Sequence, residues 1–155
     1  MNWAAVLENP WLRDLPFKIE LNGFGQILMT PASNKHGRTQ SRLVIALDRH
    51  QSGGEVIAEC SIDTSDGVKV ADVVWASDGF IAEHGYTTPY SKAPELCIEI
   101  VSPSNSQAEL DHKIALYLAQ GAREVWVVDE DGGVTMHDAS GPIRASRIAS
   151  DFSFG

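Results

Sequence analysis

The chain has 155 residues, 43% hydrophobic and 21% charged, the proportions of an ordinary globular protein with enough length for one well-buried core. Twelve basic against 21 acidic residues give a formal net charge of −9, which argues against a general nucleic-acid coat protein. There is no apolar run of the roughly eighteen residues needed to span a membrane, and "MNWAAVLENPWLRDLPFK" lacks the pattern of an export signal, so a cytoplasmic protein is expected.

In chain order, "WAAVLENPWLRDL" reads as a short helix broken at Pro10 and ended before Pro16. "FKIELNGFGQILMT" alternates around "NGFG" as a β-hairpin. "PASNKHGRTQSRLVIALDRHQSGG" has cap candidates in Ser33 and Asn34, a helical body and a Gly-Gly stop. On that helix His36, Gln40, Leu43, Val44 and Leu47 share one face, while Lys35, Arg38, Arg42 and Arg49 form a basic stripe elsewhere. That segment, 35–50, carries a local +3, whereas residues 51–155 carry six basic and 17 acidic groups, a local −11. A polyanion would therefore approach through the basic stripe or through bound metal ions.

Three strands are expected at 55–62, 68–76 and 95–102, the last two separated by a long loop with at most a helical turn. "SNSQAELDHKIALYLAQGA" reads as a helix capped by Ser104 or Ser106, buried along Leu110, Ile114, Tyr117 and Leu118, and ended by Gly121. "REVWVVD" and "GVTMHD" are strands joined by "EDGG". One helix crosses between the 95–102 and 123–129 strands, so those two are expected to be parallel within a mixed sheet. The expected class is α/β (an α+β mixed sheet), one domain over 1–155 with a helical extension at 1–16. Cys60 and Cys97 lie in strand runs without metal-ligand spacing and read as buried thiols. Trp3 and Trp11 are candidates for a dimer contact, Trp75 and Trp126 for the core.

Two carboxylates break the strand patterns. Asp72 falls in line with Val68, Val70 and Val74 by period two, and Glu99 lies on the face of Cys97 and Val101. An acid on a buried face needs a cation or strong donors. It either caps a helix or bonds a Trp or Tyr, or it shares a hard divalent ion with a neighbouring acid. Lys113 lies at the edge of the buried stripe of the helix that follows the Glu99 strand. It either snorkels to solvent or reaches back over the strand end.

These residues carry a resemblance. "KVADVVWAS … APELCIEIVSPSNSQAELDHKIALYLAQGAREVWVVDEDGGV" and, upstream, "IELNGFGQILMTPASNKHGRTQSRL" resemble the Uma-two family of restriction endonucleases, in the PD-(D/E)XK nuclease superfamily, over residues 17–155. The resemblance implies a restriction-endonuclease-like core of helix, three strands, helix and two strands. It implies Asp72 and Glu99 as the metal-binding acids, joined by the Ile100 carbonyl, with Glu20 as an additional or water-mediated ligand and Lys113 as the catalytic lysine. His36 and Gln40 match the family's polar helix pair, and with Lys35, Arg38 and Arg42 are candidates for DNA-backbone contacts. The superfamily's Pro-Asp is Ala71-Asp72 here, and its Glu-x-Lys is Glu99-Ile100-Val101, so Lys113 stands as a lysine migrated to the helix. The implied activity is hydrolysis of DNA phosphodiesters with Mg²⁺, or Mn²⁺ as a substitute, by a homodimer. The alternative is a catalytically idle nuclease-fold interaction module.

Overall fold

In the computed structural model, which describes residues 1–154, helix α1 (Trp3–Glu8) leads into a hairpin of β1 (Phe17–Leu21) and β2 (Ile27–Pro31). Helix α2 (Asn34–His50), strands β3 (Glu55–Thr64) and β4 (Gly67–Ala76), and helix α3 (Asp78–His84) follow. Then come β5 (Leu96–Ile100), α4 (Gln107–Ala119), β6 (Glu124–Val128), β7 (Val134–Asp138) and β8 (Gly141–Ile143). β3 to β8 form one six-stranded sheet in sequence order, in which only β5 and β6 run parallel. Helix α4 makes that crossover.

The strands in the middle are buried on both faces, as their unbroken apolar runs require. One face sets Val74, Cys97, Val125 and Val127 against Ile114 and Tyr117 of α4. The other sets Val73, Ile98 and Trp126 against Leu43 and Leu47 of α2 and the C-terminal Phe152. Fully burying one such leucine is worth about 1.5–3 kcal/mol. Cys60 and Cys97 are free, buried thiols, as expected. Among the described residues no helix is long and apolar enough to cross a membrane.

Two elements depart from the expectation. The segment 77–94 contains a seven-residue helix, α3, because Ser77 caps it through Phe80 N–H (3.1 Å) and is itself fixed by Glu95. Gly79 and Gly85 had masked it, since glycine weakens a helical pattern. Strand β8 is only three residues and contains Pro142, a residue confined to sheet edges. Trp3 packs against the small cluster of Val6, Leu21 and Val68, while Trp11 is 84% exposed.

The β1–β2 hairpin stands outside the main sheet and is docked by tertiary contacts. Leu21 packs on Val6 and Val68, and Lys69 Nζ donates to the Leu21 carbonyl (3.1 Å). Gly67, at φ 79, lies so close to Asn22 that a Cβ would sit 2.4 Å from its carbonyl oxygen. Asp66 ties the arrangement together, accepting from Gly23 N–H and from His112 on α4, each at 2.9 Å. Those two bonds, the His112 one first, hold its carboxyl down at about 2 against an ordinary 3.8. A lowered folded-state value means stabilisation that is complete above 3.8 and fades as pH falls toward 2. Protection of the Gly23 amide, its exchange rate compared with the intrinsic rate at each pH, should therefore fall across that window in the wild type and be low throughout in Asp66→Ala. Equal exchange in the two proteins at neutral pH would show that Asp66 does not pin the hairpin.

Candidate active site

The strand register brings the two anomalous acids together. β4 and β5 pair through Trp75↔Leu96, Val74↔Cys97 and Val73↔Ile98, so the next step would set Asp72 opposite Glu99. The ladder stops there, and the Ile100 N–H donates to Asp72 Oδ2 (2.7 Å) instead of to backbone. On the other side of β4, the pairs Ala58↔Val73 and Cys60↔Ala71 flank Asp72, while Glu59 opposite it adopts a left-handed φ of 55. That conformation costs a non-glycine residue about 1–2 kcal/mol. The Asp72 carbonyl accepts from Gln40 Nε2 (2.8 Å), which also donates to Glu59 Oε1 (2.9 Å). β4 is thus released from both neighbours at Asp72.

Both acids are buried, Asp72 to 1% exposure and Glu99 to 4%. Asp72 Oδ1 meets Lys18 Nζ at 3.1 Å and His36 Nε2 at 3.2 Å. Glu99 Oε2 meets the same Lys18 Nζ at 3.3 Å, and its Oε1 accepts from the Tyr117 hydroxyl (2.7 Å) with Lys113 Nζ at 3.5 Å. Lys113 donates to both oxygens of Glu20 at 2.9 Å, and Glu20 Oε2 takes the Val70 N–H (2.7 Å). Three carboxylates and two ammonium groups therefore share one site, with His36 at its edge.

The environments push the two central acids apart. Burial would raise Asp72, but Lys18, His36 and the Ile100 N–H outweigh it and hold the carboxyl far below its usual range. For Glu99, burial dominates over Lys113 and Lys18, and its carboxyl is raised. Opposed shifts of this kind are how closely spaced carboxylates coexist. Glu20 is lowered: burial opposes, and Lys18 and Lys113 prevail. The hydrogen bond to Asp72 raises His36, and the Lys18 ammonium is held charged because Glu99, Asp72 and Glu20 overcome its burial. Tyr117→Phe would leave Glu99 Oε1 with only the longer Lys113 contact. A loss of about 1–3 kcal/mol in denaturant unfolding is expected, and a change within error would mean the hydroxyl is not a partner that matters.

The structure brings together Asp72, Glu99, Glu20, Lys113, His36 and Gln40, and it turns the N–H and carbonyl of Ile100 toward β4, since Val101 N–H is engaged with Val128. It does not gather the basic stripe there: Lys35 pairs with Glu130 (3.4 Å), Arg42 lies over the Phe154 ring (5.4 Å) and Arg38 is exposed. Sequence reading missed Lys18, although it shares a face of β1 with Glu20 by period two, and it took Tyr117 as purely apolar. The site opens through a cavity of about 270 Å³ lined by Phe17, Lys18, His36, Gln40 and Glu59. A larger cavity, about 770 Å³, lies near Trp75, Arg123 and Arg147, where the buried Glu124 already accepts from Trp126 Nε1 and the Arg147 and Ile148 N–H groups.

Among the described residues no three or more His, Cys, Asp and Glu side chains form a group able to hold a metal ion. Asp72 Oδ1 and Glu99 Oε2 nevertheless both face one cation, Lys18 Nζ. Two hard oxygen donors around a single positive charge, with the rest left to water and substrate, fit Mg²⁺ or Mn²⁺.

The family described as "Uma2: Putative restriction endonuclease" matches residues 9–140. A crystal structure titled as a "putative nuclease belonging to DUF820", from Anabaena variabilis, shares the fold at a TM-score of 0.65 and 20% identity, covering 86% of this chain and 84% of that one. No curated protein matches the chain.

Proposed function

Since the chain belongs to the Uma2 family, we propose that it is a metal-dependent endonuclease hydrolysing DNA phosphodiester bonds at the Asp72–Glu99 site. The observation that carries this reading is the meeting of the two acids around one cation, at the point where β4 leaves its neighbours, with Lys113 3.5 Å from Glu99. Asp72 and Glu99 would hold the ion, with the Ile100 carbonyl as a third oxygen. When bound, the ion supplies a polarised phosphate and a water acidic enough to attack at neutral pH.

The chain's own groups do the remaining work. Lys113, fixed by Glu20, orients the attacking water and stabilises charge developing on the phosphate. Glu20 is a positioning residue for Lys113, and Tyr117 holds Glu99 in place. His36 stands at the cavity with its pKa raised, and presents a proton to a phosphate oxygen there. Lys35, Arg38 and Arg42 on α2 take flanking phosphates, positioning the strand without reading its sequence. Lys35 would exchange Glu130 for phosphate to do so. A twofold dimer suits cleavage of both strands.

One observation favours the idle-module reading: the ammonium groups of Lys18 and Lys113 already balance charge on the acids. Incubating the protein with supercoiled plasmid and with single-stranded DNA, with Mg²⁺ and with chelator, separates the two. Mg²⁺-dependent nicking or strand loss is expected. No cleavage of either substrate, or cleavage equal in chelator, would refute the enzyme.

A further inference from the structure

Lys18 has no role in the family resemblance, and its position is unusual. It projects from β1, outside the main sheet, and its ammonium lies between Asp72 Oδ1 (3.1 Å) and Glu99 Oε2 (3.3 Å). The side chain is only 13% exposed. The hairpin that carries it is anchored by Leu21 in its own small cluster and by the Glu20 contact with Val70, so Lys18 is delivered to the acids rather than drifting onto them. It also lines two cavities, the one of about 270 Å³ beside His36 and Gln40 and another of about 450 Å³ beside Arg13, Ser61 and Thr88. Open space thus adjoins Lys18 with the hairpin in place.

A divalent ion bound at about 2.0–2.1 Å from its oxygens cannot share Asp72 Oδ1 and Glu99 Oε2 with an ammonium held on the same two atoms. The two cations exclude each other. We infer that Lys18 is a built-in counter-cation: it holds the Asp72–Glu99 pair when no metal is bound, must be displaced for the metal to enter, and then presents its ammonium to the phosphate in the cavity beside His36. This rests on the metal-site reading above. Its consequence is that the site never exposes bare paired acids, and that metal affinity is lower than the carboxylates alone would give.

The test is calorimetric titration of Mn²⁺ into wild type, Lys18→Met and Lys18→Arg, together with thermal melts of each with and without the ion. Lys18→Met should bind Mn²⁺ at least about tenfold more tightly, melt lower than wild type when metal-free, and gain more in Tm on adding metal. Lys18→Arg keeps the cation, so its affinity should equal or fall below that of wild type. If wild type binds Mn²⁺ and Lys18→Met binds it no more tightly, the inference fails and the metal site stands. If neither protein binds, both fail. Should Lys18→Met not fold, the wild type still decides. A fixed lysine ammonium signal by ¹⁵N NMR, present without metal and lost with one equivalent of Mg²⁺, supports displacement; a signal unchanged at saturation overturns it.

Discussion

Asp72→Asn is expected to lower Mg²⁺-dependent DNA cleavage by more than about 10³-fold, because it removes the charge on which the metal and the phosphate chemistry depend. Asn keeps the side-chain shape and an oxygen for the Ile100 N–H. It cannot balance Lys18 and His36 as a carboxylate does. Lys18 retains Glu99, so the loss of stability should stay below the roughly 3–5 kcal/mol of a buried pair broken outright. Rates measured on plasmid alongside denaturant melts check both halves. A folded Asp72→Asn protein that cuts within tenfold of wild type would remove Asp72 from the mechanism.

Lys113→Met is expected to cost about 10²–10³-fold in cleavage rate and about 3–5 kcal/mol in stability, since the Glu20 carboxylate stays buried with its close ammonium partner gone. The two effects have separable causes. In the double variant Glu20→Gln/Lys113→Met the stranded acid is neutralised, so stability should largely return while cleavage stays lost. If cleavage returns with stability, Lys113 only holds Glu20 and the catalytic assignment is wrong.

Much of the frame was legible before any coordinates. The valine-rich runs, the Ser-capped helix ended by Gly121 and the crossover it makes placed β4, β5, α4 and β6 nearly where they lie, with β5 and β6 parallel. Period two was enough to mark Asp72 and Glu99 as acids on a buried face. What it could not give was their alignment. The register that sets 72 against 99 depends on how the segment 77–94 folds, and its short helix was hidden by glycines.

Tertiary contacts hid the rest. A lysine in a hairpin strand reads as solvent-facing until docking of the hairpin turns it inward, and that docking joins Leu21 and Gly23 to Val68 and Asp66, a distant part of the chain. Tyr117 fits an apolar stripe perfectly well; only the carboxylate beneath it gives its hydroxyl a task. The basic stripe lies on α2, but two of its members meet Glu130 and Phe154, which no spacing on the helix could reveal. Glu99 faces a phenol and two ammonium groups, and shares one of these with Asp72.

The central claim is that this shared place takes a divalent ion, and Mn²⁺ titration of wild type against Glu99→Gln tests it most directly. Burial already disfavours the Glu99 charge, so Glu99→Gln should fold with stability close to wild type. The account predicts one Mn²⁺ site in the wild type and at least about tenfold weaker binding in Glu99→Gln, no smaller than the loss when a residue that merely supports a ligand is changed. Identical isotherms, or no binding to the wild type, would contradict it.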